Sequence, residues 1–496
     1  MSETISNPLK QRPSCLKRGP GWVLFIVALI GTFSASYPNG CMGVLMPTIA
    51  KELNIGTDLI VLINIAYSLI CGVLTLPFGR LGDRIGYQKM FMVGQCVLLV
   101  SDLLCALLST NFVLLIIFRC MVGVGSAMVL SVVQAMLAQA FPGMRGRMMG
   151  LYSLSVSYSG AFSGLISSGI FTAFETWRAS VLSSAVMTVA AIILGAVFLG
   201  EFQNKPTKGD RLGTVMLMLT LSSLLIALNA RTVSIPVPVM IGLGVVFLVS
   251  LYFFIKTENR AEAPLLDFRL LKNKNFTLGF LGCLLGYTVS TGVNTAMPFY
   301  IQTVLGKSPT VNSLCTMAFP LIMGTFGPFI GGWCDKKGPY KFLCVAMLVQ
   351  CLAIFGYCIL GISSPLIILI LAVVLYGIGG GLYYAPCTSM VMGSVPANAG
   401  GVASGMMSTA RNLGGGIGAL LALMMRFFKS RANRLCLMIA SIVLGIALTE
   451  VLSKVTGGWL SLSSLLVCMM VALTACGSSP DTPDGMQLCR GNVKND

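Results

Sequence analysis

From Phe342 to Ala410 the chain carries no Asp, Glu, Lys or Arg. Further charge-free runs extend from Gly19 to Ala50, Met148 to Phe174 and Asn275 to Gly306. A spanning helix needs roughly 20 apolar residues, so each run holds one span and the Phe342 run holds two. Of 496 residues, only 10% are charged and 56% are hydrophobic, with a mean hydropathy of +0.87. A soluble domain carries about a quarter charged residues, so this chain has too few to cover a wet surface. It reads as an all-α integral membrane protein.

Spans are expected near 22–46, 59–79, 90–108, 112–137, 147–173, 179–199, 212–230, 236–255, 276–304, 312–332, 342–361, 365–392, 402–425 and 435–453. With the N-terminus inside, the inner loops through the eleventh span hold 20 Lys and Arg, while the outer loops hold four. That asymmetry accounts for the net charge of +17 without a polyanion, so no nucleic-acid partner is expected. The apolar run after the polar lead is too long for a cleavable signal, so the chain is expected to sit in the cell membrane. Seventeen cysteines include no CxxC pair, and histidine is absent. Neither a metal nor a cofactor is expected.

One polar pattern, GxxxD[RK]xGxxK, occurs twice, 252 residues apart. The copies are Gly79, Asp83, Arg84, Gly86, Lys89 and Gly331, Asp335, Lys336, Gly338, Lys341. Each follows a proline-containing helix end and is expected to form a short polar loop. Two six-helix halves would separate the copies by about 200 residues, and the surplus fits two extra helices. The layout is therefore a tail at 1–21, a six-helix bundle at 22–200 and a linker at 201–211. An inserted pair at 212–256, a linker at 257–275 and a second bundle at 276–454 follow. The segment 455–496, with an apolar run from Trp459 to Cys476, has no place in this scheme. Duplicated halves joined by matched charged turns suggest a carrier whose halves move against each other. Asp83 and Asp335 can accept from a neighbouring helix's N-terminal amides, while the basic residues can reach acidic side chains or lipid phosphates. A topogenic loop is the simpler alternative.

Several segments resemble the major facilitator superfamily, in particular its fourteen-span drug:proton antiporter branch. They are GRLGDRIGYQK (79–89), FRCMVGVGSAM (118–128), MPFYIQTVLG (297–306) and ASGMMSTARNLGGGIG (403–418), with Trp177-Arg178 and Pro264-Leu265-Leu266. The resemblance covers roughly residues 20–425 and implies two six-helix bundles, alternating access and proton-driven efflux of drugs. It also places Arg119 at the family's proton-coupling position. The chain departs from the branch in two places. Pro38 and Asn39 stand where the first helix usually has an acid, and Gly164–Gly169 lacks the fifth helix's Gly-Pro-x-x-Gly-Gly pattern.

Charges inside the membrane are costly and mark function. Asp102 and Arg119 both fall about 12 Å below the outer surface on adjacent helices, so an ion pair is expected, either a clamp or a proton switch. Arg411 either snorkels or binds an anionic group. A neutral substrate cavity is expected from Asn39, Asn64, Tyr67, Gln134, Tyr158, Asn294, Gln302, Tyr383 and Tyr384, with Arg411 beside it. Each of these can equally serve as an interhelical hydrogen bond. The partners expected are a small-molecule substrate, protons and membrane lipids, in a monomer. The sequence points to a proton-coupled exporter of small amphipathic compounds. An uncoupled facilitator or metabolite carrier for neutral or anionic substrates remains open, as does a non-transporting membrane sensor. No catalytic constellation suggests an enzyme.

Overall fold

The computed structural model describes residues 20–427 apart from 54, 56–59, 61, 201, 203–210, 229–236, 259–269, 271–272, 300, 302–308, 360–365 and 396–398. The expected 435–453 span, the Trp459–Cys476 run and Gln302 lie outside the described residues. Six helices come first: α1 (Gly21–Glu52), α2 (Leu62–Ile85), α3 (Tyr87–Leu107), α4 (Phe112–Ala140), α5 (Arg145–Phe174) and α6 (Trp177–Phe198). A pair follows, α7 (Arg211–Leu228) and α8 (Val237–Glu258). Then come α9 (Lys274–Phe299), α10 (Pro309–Lys337), α11 (Pro339–Ile359), α12 (Leu366–Gly393) and α13 (Gly400–Phe427). Among the described residues, nine helices are long and apolar enough to cross a membrane. The architecture is all-helical and multi-pass.

Packing repeats with an offset of eight helices. In the first group α1 packs on α4 and α5, while α4 packs on α2 and α3. In the second, α9 packs on α12 and α13, and α12 packs on α10 and α11. Across the groups, α2 lies on α13 and α10 lies on α5. The pair α7–α8 packs on itself, and α7 also touches α2 and α13. The four least apolar of the described helices are α2, α5, α10 and α13, the ones that form the seam between groups. A helix facing protein rather than lipid has no need of an apolar surface all round.

Within the first group, serines spaced by four residues set the α1–α5 contact. Ser155 donates to the Leu29 carbonyl at 2.7 Å and Ser159 to Phe33 at 2.9 Å. One turn on, Ser163 sits against Gly40 and Ser167 bonds the Cys41 thiol at 3.2 Å. Small polar side chains let backbones approach and spend their hydroxyls within the pair.

A clamp closes this group at the face opposite the repeated motif. The Trp177 indole N–H donates to Glu52 at 2.7 Å, and Arg178 pairs with the same carboxylate while lying over the Trp177 ring. Arg178 also donates to the Ser109 carbonyl at 3.2 Å, so α1, α3 and α6 are tied together. Trp177 is fully buried, so removing its acceptor strands an indole N–H at a cost of about 1–3 kcal/mol. The half-exposed ion pair itself contributes at most about 1 kcal/mol. Glu52→Ala is therefore expected to lower the melting temperature in detergent by a few degrees, and Glu52→Gln, which keeps an acceptor, by less. Equal losses would assign the clamp's strength to charge instead.

Candidate functional site

Neither motif copy forms the loop expected from its charges. Helix α2 runs through Asp83 and Arg84 to Ile85, and α10 runs through Asp335 and Lys336 to Lys337. One residue then breaks each helix, Gly86 with φ of 98° and Gly338 with φ of 81°. Both lie in the region that L side chains avoid, and the following helix starts at once. Charges at a helix end remain helical when they have somewhere to reach, and here the carboxylates do.

Asp83 accepts from the backbone N–H of Gly401 at 2.7 Å and of Val402 at 3.0 Å, in the first turn of α13. Asp335 accepts from Gly146 at 2.6 Å and Arg147 at 2.9 Å, in the first turn of α5. Each carboxylate thus satisfies orphan amides at the positive end of a helix from the other group. Such charge-assisted bonds are worth about 1.5–3 kcal/mol each. Backbones must come very close for this. A Cβ on Gly79 would strike the Gly401 carbonyl, and one on Gly331 the Gly146 carbonyl.

The two clasps differ in burial. Asp83 is 3% exposed, and the Tyr87 hydroxyl donates to it at 2.7 Å beneath the Phe202 ring. Asp335 is exposed, and the position matching Tyr87 is Pro339, which has no hydroxyl. Arg84 is half-buried, while Lys89, Lys336 and Lys341 are exposed. Further along the α5–α10 seam, Tyr158 shares a hydrogen bond with Thr325 at 2.8 Å.

Asp102 and Arg119 do not form the expected ion pair. Helix rotation points Asp102 at α6, where Ser184 donates to it at 2.5 Å, and its other oxygen is buried without a partner. Arg119 turns toward α1 and α2, donating to the Pro38 carbonyl at 3.3 Å and to Asn64 at 3.5 Å. Its guanidinium lies 5.0 Å from the Tyr67 ring centroid, and its Nε has no partner. Pro38 has no N–H for the preceding turn of α1, and nearby the Ala35 carbonyl takes the Tyr67 hydroxyl at 3.0 Å and Ser126 at 2.9 Å.

The remaining expected cavity residues divide. Asn39 and Gln134 each keep a buried side-chain oxygen without a partner. Tyr383 spends its hydroxyl on the Gly282 carbonyl at 2.7 Å, and Asn294 donates to the Ser290 carbonyl at 2.9 Å. The Tyr384 ring lies 4.6 Å from that of Tyr287. Arg411 sits in α13 with Tyr152 of α5, Tyr287 of α9 and Cys71 of α2 around its guanidinium. Tyr87, Ser184, Tyr152 and Tyr287 were not singled out from sequence. A usable signal existed for the seam: Gly146/Gly150, Gly401/Gly405 and Gly327/Gly331 are all four apart, as are Thr75 and Gly79.

A family model for the Major Facilitator Superfamily matches residues 28–419. The chain is 30% identical over 432 residues to an uncharacterized transporter, YebQ, of Escherichia coli (strain K12), covering 86% of this chain and 93% of that protein. It is 27% identical over 402 residues to the riboflavin transporter RibZ of Clostridioides difficile (strain 630), covering 80% and 86%. Among solved structures, the human organic anion transporter MFSD10 (TETRAN) superposes with a TM-score of 0.56 at 16% identity, covering 92% of this chain and all of that one. This chain is a member of the major facilitator superfamily.

Proposed function

We propose that this protein is a proton-coupled exporter of small amphipathic compounds in the cell membrane, working by alternating access with its N-terminus in the cytoplasm. One observation carries this reading: two carboxylates, one from each group, each close a helix N-terminus of the opposite group, and both lie on one face. Clasps that join the two groups at a single face hold that face shut and must part when the groups rock. With that face cytoplasmic, the closed conformation is the outward-facing one. The domain boundaries given above then mark two rigid bundles, with α7–α8 as a peripheral insert.

Proton coupling is assigned to Asp102 and Arg119. A buried carboxylate with one empty oxygen is a natural proton acceptor, and Arg119 has no carboxylate of its own. Protonating Asp102 removes the negative charge nearest to Arg119, which then interacts differently with Pro38, Asn64 and Tyr67 at the break in α1. A second reading, a carrier without proton coupling, draws on the lack of direct contact between Asp102 and Arg119 and on Pro38 occupying the usual acidic position.

Two measurements separate these possibilities. In proteoliposomes with an imposed pH gradient, Asp102→Asn is expected to abolish substrate-linked proton flux while preserving substrate binding. Flux equal to that of the unsubstituted protein would leave the uncoupled carrier. The clasps have their own signature. Loss of about 2 kcal/mol of clasp energy shifts the ratio of the two states roughly thirtyfold. Asp83→Asn is therefore expected to slow turnover about tenfold or more with binding little changed, and Asp335→Asn, at the exposed clasp, to do less. Normal turnover in both variants would remove the clasps from the cycle.

A further inference from the structure

Arg411 is the eleventh residue after Gly400, so it lies about 16 Å along α13, near the middle of a roughly 30 Å hydrocarbon layer. At that depth its guanidinium cannot snorkel to either interface. It donates to the Ser408 hydroxyl at 3.3 Å. Among the described residues no carboxylate stands within ion-pair distance of it. A guanidinium has five N–H donors in a planar fork, and the partners around this one are neutral hydroxyls, none of which offsets its charge. A half-buried cation left in that condition is costly unless something anionic comes to it.

The surroundings point the same way. Tyr152 and Tyr287 hold their hydroxyls toward the guanidinium. Tyr152 is 5% exposed, and among the described residues its hydroxyl faces the Arg411 guanidinium. Position is fixed from both sides: Gly72 of α2 lies against the Asn412 side chain, and Gly414 of α13 lies against Tyr287 of α9. A second guanidinium, Arg119, lies over the Tyr67 ring. Asp102 is turned away to Ser184. Among the described residues, neither of these guanidinium groups has a carboxylate within ion-pair distance. Beside Arg411, the tilted Tyr287 and Tyr384 rings, 4.6 Å apart, offer an aromatic wall.

We infer that Arg411, with the Tyr152 and Tyr287 hydroxyls, binds the anionic group of a small aromatic organic anion whose ring lies against Tyr287 and Tyr384. The inference rests on the carrier reading above and names its substrate class. The donors come from both groups of helices, α5 from the first and α9 and α13 from the second. Parting the seam changes how many of them a bound anion can reach, which gives the ligand the different affinities in the two states that transport requires.

The test uses matched pairs of aromatic carboxylates and their neutral amides, for example naphthaleneacetate and naphthaleneacetamide, in two or three ring sizes. Binding is measured on the purified full-length protein in detergent, with no gradient present. The carboxylates are expected to bind about tenfold more tightly than the amides. Arg411→Gln is expected to erase that preference and Arg411→Lys to keep part of it. Tyr152→Phe is expected to weaken carboxylate binding without altering amide binding. Each variant is first shown to be monodisperse with an unchanged melting temperature. Equal binding of acids and amides across the pairs, a preference that survives in Arg411→Gln, or no binding of either overturns the inference. A vesicle arm keeps the two readings apart. Amides carried while carboxylates are neither bound nor carried would remove the anion site and leave the carrier, whereas Arg411-dependent carboxylate binding without transport would do the reverse.

Discussion

The structure depends on one electrostatic contact made twice: a carboxylate seated on the first turn of a helix that belongs to the other half. Helix N-termini leave backbone N–H groups without intrahelical partners, and near a bilayer such groups cannot be left bare. α5 has no side-chain cap of its own, and the first-turn amides of both α5 and α13 look outward for acceptors. Both helices begin with glycines that let another backbone come within contact, and the missing acceptor arrives from across the seam. The consequence is an all-or-none joint. Asp83 either closes α13 or must find water, and the amides it leaves need water at the same moment. On the proposed reading, separation of the halves and hydration of that face are one event, the behaviour required of a gate.

The duplication is imperfect, and the difference has mechanical content. Tyr87 adds a third donor to Asp83 and shelters it, while Pro339 at the equivalent place gives Asp335 nothing and leaves it in contact with solvent. A carboxylate already wet loses little on release, whereas a buried one must be rehydrated. If the clasps part as proposed, the α5–α10 side of the joint is the easier to open and the α2–α13 side sets the barrier.

Much of this was readable beforehand, for identifiable reasons. Charge-free runs give the described helices with ends within about six residues, because the bilayer permits so few solutions for a backbone. The paired motif led to acidic residues capping distant helices, since only an amide terminus suits a carboxylate there. Three features were not readable. The charges of the motif suggest a loop, although in each copy a single glycine with positive φ makes the whole turn. The expectation for Asp102 and Arg119 rests on depth alone, yet depth says nothing about rotation, and Ser184 and Pro38 take them in different directions. Tyr383 and Asn294 looked like ligand contacts because hydroxyls and amides in apolar helices can serve either purpose. Their partners turned out to be carbonyls of their own group.

The inserted pair explains how a polar seam survives in lipid. α2 and α13 are among the least apolar helices, and where they cross, the Asn412 side chain packs against Gly72. Leu225 of α7 covers that point, packed against Gly72. Behind it, Thr220 and Ser250 join α7 to α8 by a hydrogen bond at 3.0 Å, and α8 presents Val245, Leu248, Val249 and Tyr252 outward. A polar amide such as Asn412 facing acyl chains would be costly; one facing Leu225 inside a protein layer is not. By this argument α7–α8 acts as an apolar shield on one flank of the seam, freeing α13 to carry Arg411, Asn412 and its glycines where a twelve-helix arrangement would have to keep that flank greasy.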